Sequence, residues 1–318
     1  GELDQGRGRH RLACGLCGDA PGAALPESVG VVCWGVPPRV EHWTQLQTSR
    51  RIAFHFSGLS GKHTSPEPAT SSIRSLTNSC RYSIDVGRHA ILAALEKNAS
   101  RITVITSFPE KLNEKNWDSY GDDKTNPFDD EANKGRLEMV KIDSWKDVIP
   151  SRHFEGAGAV VSCLGHRQPG WKYKELMSKG LIAFDGNSRV IRAMGEANVE
   201  RVVTISSFGL NGDRQWKHPA ARVMTCLFKT FMRKAGKDLT KSERAYQASS
   251  LDYLIVRPVG IGEEVEPCGE YYLQEVGEDV VGGNMAKMDT ARFMVDEAMK
   301  PTLHRCSKVV GSKPGTPM

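Results

Sequence analysis

Two short segments of this chain carry glycines at the spacing of a phosphate-binding turn. Ser57-Gly58-Leu59-Ser60-Gly61 ends one apolar run, and Asp85-Val86-Gly87-Arg88-His89 opens an amphipathic one. Glycine lets backbone N–H groups come close to phosphate oxygens, and a helix starting at that point adds partial positive charge. Joined directly, the segments read Gly-Leu-Ser-Gly-Asp-Val-Gly, a G-x-x-G-x-x-G turn suited to a dinucleotide pyrophosphate. Residues 62–84 separate them and read as an inserted loop, Ser-, Thr- and Pro-rich over 62–79. Loop-closure cost grows slowly with length, so the two halves can still meet.

Other candidates fall where β-branched runs end. Ser107 follows "RITVIT". An acidic residue there would bind a ribose 2′-hydroxyl and select NAD. With Ser107 in that place, Lys111 after it and Arg88 available, a 2′-phosphate is accommodated and NADP(H) is expected over NAD(H). Asp143 and Ser144 follow the next run, as an acceptor for an adenine amino group or as a helix cap. Ser162-Cys163-Leu164-Gly165 ends another, where Gly165 would let a cofactor lie against the backbone. The hydroxyls of Ser206 and Ser207 would face a nicotinamide, and Pro258 would stop its strand and turn the chain over the site.

A catalytic tyrosine is harder to find. The pair Tyr120-Gly-Asp-Asp-Lys124 has the Tyr-x-x-x-Lys spacing of a proton-passing phenol and its lysine, but it lies in a polar stretch between the second and third strands and reads as chance. Tyr246 lies nearer the expected place, followed by Gln-Ala-Ser-Ser rather than a lysine. It is either a catalytic candidate or a helix residue packing on a sheet. Ser207 is the remaining hydroxyl for the reacting centre. Cys14 and Cys17 form one C-x-x-C without a second pair at zinc spacing, so no metal is expected.

The elements that must position these residues alternate regularly. Strands are predicted over 51–58, 101–107, 135–143, 157–165, 201–209, 252–260 and 306–312. Helices are predicted over 86–98, 187–199 and 289–300, with a basic helical region at 219–249. Such alternation implies a doubly wound, mostly parallel Rossmann-type α/β sheet that binds ligands beyond its strand carboxyl ends. Residues 1–50, rich in Gly, Pro and Arg, are expected to form a poorly ordered N-terminal extension with "VGVVCWGVPP" as their one strand-like run. A single NAD(P)-binding domain is expected over 51–318.

In that order, "DVGRHAILAALEKN", "ITVITSFPEKL", "VVSCLG", "NVERVVTISSFG", "SERAYQASSLDYLIVRP" and "MDTARFMVDEAM" resemble the atypical short-chain dehydrogenase/reductases of the NmrA-like, NAD(P)-binding branch. The resemblance covers roughly 85–318. It implies a Rossmann fold, bound NADP(H) or NAD(H) and a small C-terminal substrate lobe, with Asp289 and Ala291 in the family's late helix. The expected function is an NADP(H)-dependent reductase moving hydride to a small carbonyl, quinone or flavin-like acceptor. The alternative is a non-catalytic NADP(H)-sensing or assembly-factor module, using the basic residues of 214–244. The 318 residues have a net charge of +5, too mild to imply nucleic-acid binding, and no apolar run long enough to span a membrane. A soluble intracellular protein is expected, in the cytoplasm or in an organelle such as the plastid.

Overall fold

The computed structural model describes residues 28–32, 83–107, 109–112, 126–165, 182–210, 233–262, 265–274, 281–283 and 285–314, with Cys226 and Thr230. Its centre is a sheet of strands β1 (Ser28–Val32), β2 (Arg101–Thr106), β3 (Leu137–Lys141), β4 (Ala159–Ser162), β5 (Arg201–Ile205), β6 (Asp252–Pro258), β8 (Tyr272–Gln274) and β10 (Cys306–Gly311). They lie in the order β3-β2-β1-β4-β5-β6-β10-β8. All pairings are parallel except that of β8 on β10. The two short strands β7 (Ile261–Gly262) and β9 (Met285–Ala286) pair separately.

The four long helices are α1 (Ser83–Glu96), α2 (Ala183–Glu196), α3 (Arg233–Ala248) and α4 (Lys287–Met299). Strand residues alternate between two cores, as a period of two requires. Ala159, Val161, Cys163, Val203, Ile205, Leu254 and Val256 pack with α1 and α4. Val160, Leu164, Val202, Tyr253 and Ile255 pack with α2 and with Tyr246 of α3. A sheet buried on both faces explains why its strands read as continuous apolar runs. Among the described residues, no helix is long and apolar enough to cross a membrane.

The first strand differs from expectation. Ser28–Val32, inside the supposed extension, takes the central position between β2 and β4, register Val29 to Ile102 and to Ala159. The run 51–58, with Gly58 and Gly61, lies outside the described residues. So do Tyr120, Lys124 and the side chain of Lys111. The supposed loop 62–84 also ends earlier, because Ser83 and Ile84 already belong to α1. The other predicted elements are present with shorter or shifted ends, and of the basic region 219–249 the structure describes α3.

Two of the αβ junctions share one device. After α1 and α2, Asn98 and Asn198 adopt φ of 57° and 55°. The next N–H then reaches back across the turn, Ala99 to the Ala94 carbonyl at 3.0 Å and Val199 to the Met194 carbonyl at 2.9 Å. Asparagine tolerates this left-handed conformation better than most residues, so each helix stops and turns directly into a strand.

Candidate functional site

The strand order reverses between β1 and β4. In such sheets the crevice beyond the carboxyl ends at that point receives the ligand, and the halves β1–β3 and β4–β6 each take one mononucleotide. α1 is the first described helix after β1, with Gly87 buried in its second turn and Arg88 half-buried beside it. At the end of β2, Ser107 Oγ accepts from Trp145 Nε1 at 3.1 Å, so no carboxylate stands there. After β3, Asp143 is exposed, and Ser144 Oγ accepts from the Lys146 N–H at 3.1 Å, a local turn of the capping kind.

Beyond β4 the interior is polar and hydrogen-bonded. Ser162 Oγ donates to Asn187 Oδ1 at 2.7 Å, Tyr246 donates its hydroxyl hydrogen to the same oxygen at 2.7 Å, and Asn187 Nδ2 donates to Ser242 Oγ at 2.8 Å. Ser162 and Tyr246 have no exposed surface. Burial pushes the Tyr246 phenol far above its ordinary value. Tyr246 therefore ties α3 to α2 and to β4 inside the protein. Leu164 is also enclosed, and its Cδ1 lies 3.0 Å from where a Cβ on Gly186 would stand. Gly165, three residues past the end of β4, is also buried.

The ends of β5 and β6 carry a buried ion pair. Glu243 of α3 accepts from Arg257 Nε at 2.9 Å on Oε1 and from Nη2 at 2.7 Å on Oε2. Ser206 Oγ lies 2.6 Å from Oε1. The alternation explains the meeting, since Val202, Thr204 and Ser206 point to one face and Tyr253, Ile255 and Arg257 to the same one. Ser207 points the other way and donates to the Phe208 carbonyl at 3.3 Å. Pro258 is the last residue of β6, as its missing N–H suggests, and its carbonyl accepts from the Phe208 N–H at 3.4 Å.

Sequence reasoning did not find Asn187, Asp238 or the buried pairing of Glu243. No local pattern marks them, because each partner lies on another element. Asp289 is nearly inaccessible, and its carboxylate accepts from the N–H groups of Cys268 and Gly269 at 2.9 and 3.0 Å, so it shapes the loop before β8. Among the described residues, no group of three or more His, Cys, Asp or Glu side chains is placed to hold a metal.

These residues fit a dinucleotide. β4 ends in a serine and two serines follow β5, and Glu243 of α3, the buried carboxylate beside the ends of β5 and β6, is paired with Arg257, so among the described residues there polyphosphate meets no uncompensated negative charge. The family model for NAD(P)H-binding proteins matches residues 85–301. The chain belongs to that NAD(P)H-binding family.

Among solved structures, the chain is similar to a short-chain dehydrogenase/reductase from Veillonella parvula, solved in complex with NADP. The two share 18% identity with a TM-score of 0.52, over 73% of this chain and 91% of that one. A putative NAD-dependent epimerase/dehydratase from Bacillus halodurans has 18% identity and a TM-score of 0.51, over 72% and 91%. An anaerobillin reductase from Escherichia coli O157:H7 has 16% identity and a TM-score of 0.52, over 73% and 94%. At these identities the likeness concerns the Rossmann-type fold. No curated protein matches the chain.

Proposed function

We propose that this protein is an NADP(H)-dependent reductase that passes hydride to a small carbonyl, quinone or flavin-like acceptor. The observation that carries the reading is the reversal of strand order between β1 and β4, with Ser206 and Ser207 directly after β5, in a chain of the NAD(P)H-binding family. The cofactor, when bound, supplies the hydride. Arg88 pairs with a 2′-phosphate, and Ser107 offers no carboxylate to repel it, which favours NADPH over NADH. Gly165 leaves backbone open for the cofactor, and Asp143 stands ready for the adenine amino group. Ser207 is turned to the opposite face with its hydroxyl hydrogen on the Phe208 carbonyl, so Ser206 is the hydroxyl left at this strand end for the nicotinamide. Tyr246, enclosed and bonded to Asn187, takes no part in proton transfer, so the acceptor takes its proton from water. The short strands β7 and β9, paired outside the central sheet, belong to a small substrate lobe beside the acceptor.

A titration of the whole protein with NADPH and NADH, followed by cofactor fluorescence, tests this. Saturable binding that is tighter for NADPH is expected. Equal or tighter NADH binding would overturn the preference, and no binding of either to a folded sample would overturn the reading. Steady NADPH oxidation across a panel of carbonyl, quinone and flavin acceptors is expected next.

One observation favours a second reading. Lys234, Lys237, Lys241 and Arg244 line one exposed face of α3. Such a face suits an acidic partner of a non-catalytic, NADP(H)-sensing module. Tight cofactor binding without turnover by any acceptor would favour that reading.

A further inference from the structure

Glu243 is only 2% exposed, yet it faces a guanidinium. Arginine has five donors and no acceptor and stays protonated in proteins. Arg257 places two of those donors on the two oxygens of Glu243, the fork-on-fork geometry of a carboxylate pair. Such a carboxylate offers no hydrogen. The 2.6 Å contact with Ser206 therefore has the serine as donor.

A serine hydroxyl has one hydrogen and two lone pairs. With the hydrogen committed to Glu243, Ser206 keeps only the capacity to accept. Among the described residues no donor fills that capacity, and the residue is part-exposed at the carboxyl end of β5. It stands in the middle of the β4–β6 half, the half that takes the second mononucleotide. Ser207 is differently placed, since its hydrogen goes to a backbone carbonyl and its side chain to the opposite face.

We infer that Ser206 is an acceptor-only specificity contact that reads the N–H2 of the nicotinamide carboxamide, with Glu243 and Arg257 as positioning residues that hold the hydroxyl hydrogen away from the ligand. The inference rests on the dinucleotide reading above. A cofactor whose carboxamide nitrogen is replaced by methyl has nothing to donate, and it leaves the Ser206 oxygen facing carbon.

Calorimetric binding of oxidised NADP and of its 3-acetylpyridine analogue to the whole protein tests this. The wild type is expected to prefer NADP by about fivefold or more, the worth of one hydrogen bond. Ser206→Ala is expected to bring the ratio close to one, and Ser206→Thr, which keeps the hydroxyl, to preserve it. Glu243→Gln, which frees the hydroxyl to rotate, is expected to lower the ratio. Ser206→Cys, with a weak acceptor of similar size, serves in place of alanine where that variant does not fold. Equal binding of the two cofactors by the wild type, or an unchanged ratio in the alanine or cysteine variant, overturns the inference and leaves the dinucleotide reading standing. Failure of the folded wild type to bind either cofactor overturns both.

Discussion

Asp238 of α3 caps a different helix: its Oδ2 accepts from the Ala183 N–H at 2.9 Å and from the Phe184 N–H at 3.3 Å, at the start of α2. Ile182, at the cap position itself, offers no side-chain oxygen. The negative charge also meets the positive end of the helix dipole. Asp238→Ala is expected to lower stability by about 1–2 kcal/mol, in the range of lost caps, and Asp238→Asn by less. Thermal or urea unfolding of the variants checks this. An alanine variant as stable as the wild type would mean that water replaces the cap.

Much of the fold was legible because its signals are local. β-branched runs such as "RITVIT" and "RVVTI" became β2 and β5. The first strand was not legible. Residues 28–32 and 51–58 both offer short apolar runs in the sequence, and the place of 28–32 between β2 and β4 is set by pairing with those strands, a non-local choice. The site was legible only at strand ends. α3 buries Asp238, Ser242, Glu243 and Tyr246 along with Ala235 and Gly236 and exposes its lysines, so its buried face carries polar groups of its own. Hydrophobic periodicity does not show which polar residues of such a face find buried partners, and partners such as Asn187 and Tyr246, 59 residues apart, are invisible until the chain folds.

Tyr246→Phe distinguishes a structural phenol from a catalytic one. The variant keeps the ring in the core and leaves Asn187 Oδ1 with Ser162 as its donor. A stability loss of about 1 kcal/mol is expected, with NADPH affinity and any hydride-transfer rate unchanged. A large fall in that rate in a folded variant that still binds cofactor would place Tyr246 in catalysis.

Cys163 follows the last residue of β4, and burial pushes its thiol up to about 12. Since the thiolate is the reactive form, Cys163 is expected to stay unmodified by an alkylating reagent at pH 8 in the native protein and to react only after unfolding. Cys226 and Cys268, both exposed, are expected to react first. Mass spectrometry of timed samples assigns each site. Rapid labelling of Cys163 under native conditions would show that the β4 end opens readily to solvent.

At the opposite end of the sheet, Asp252 is held by Arg201 Nη1 at 3.0 Å, His304 Nδ1 at 2.8 Å and the Arg305 N–H at 3.3 Å. Burial pushes its carboxyl up, but the His304 hydrogen bond, the Arg201 and His304 charges and the Arg305 N–H outweigh that and hold it below the ordinary 3.8. A carboxylate depressed by folding stabilises the native state fully above its unfolded value, and that contribution fades as the pH falls through the folded one. Asp252→Asn removes the charge and with it the titration. The wild type is expected to be more stable than Asp252→Asn by roughly 1–3 kcal/mol at about pH 5, since the substitution weakens charged hydrogen bonds around a guanidinium that is itself buried. The gap is expected to narrow on acidification below about pH 4, read as the difference in unfolding midpoints between the two proteins. A gap that widened on acidification would mean that Asp252 binds its proton more readily in the fold than in the unfolded chain, the reverse of what Arg201 and His304 impose.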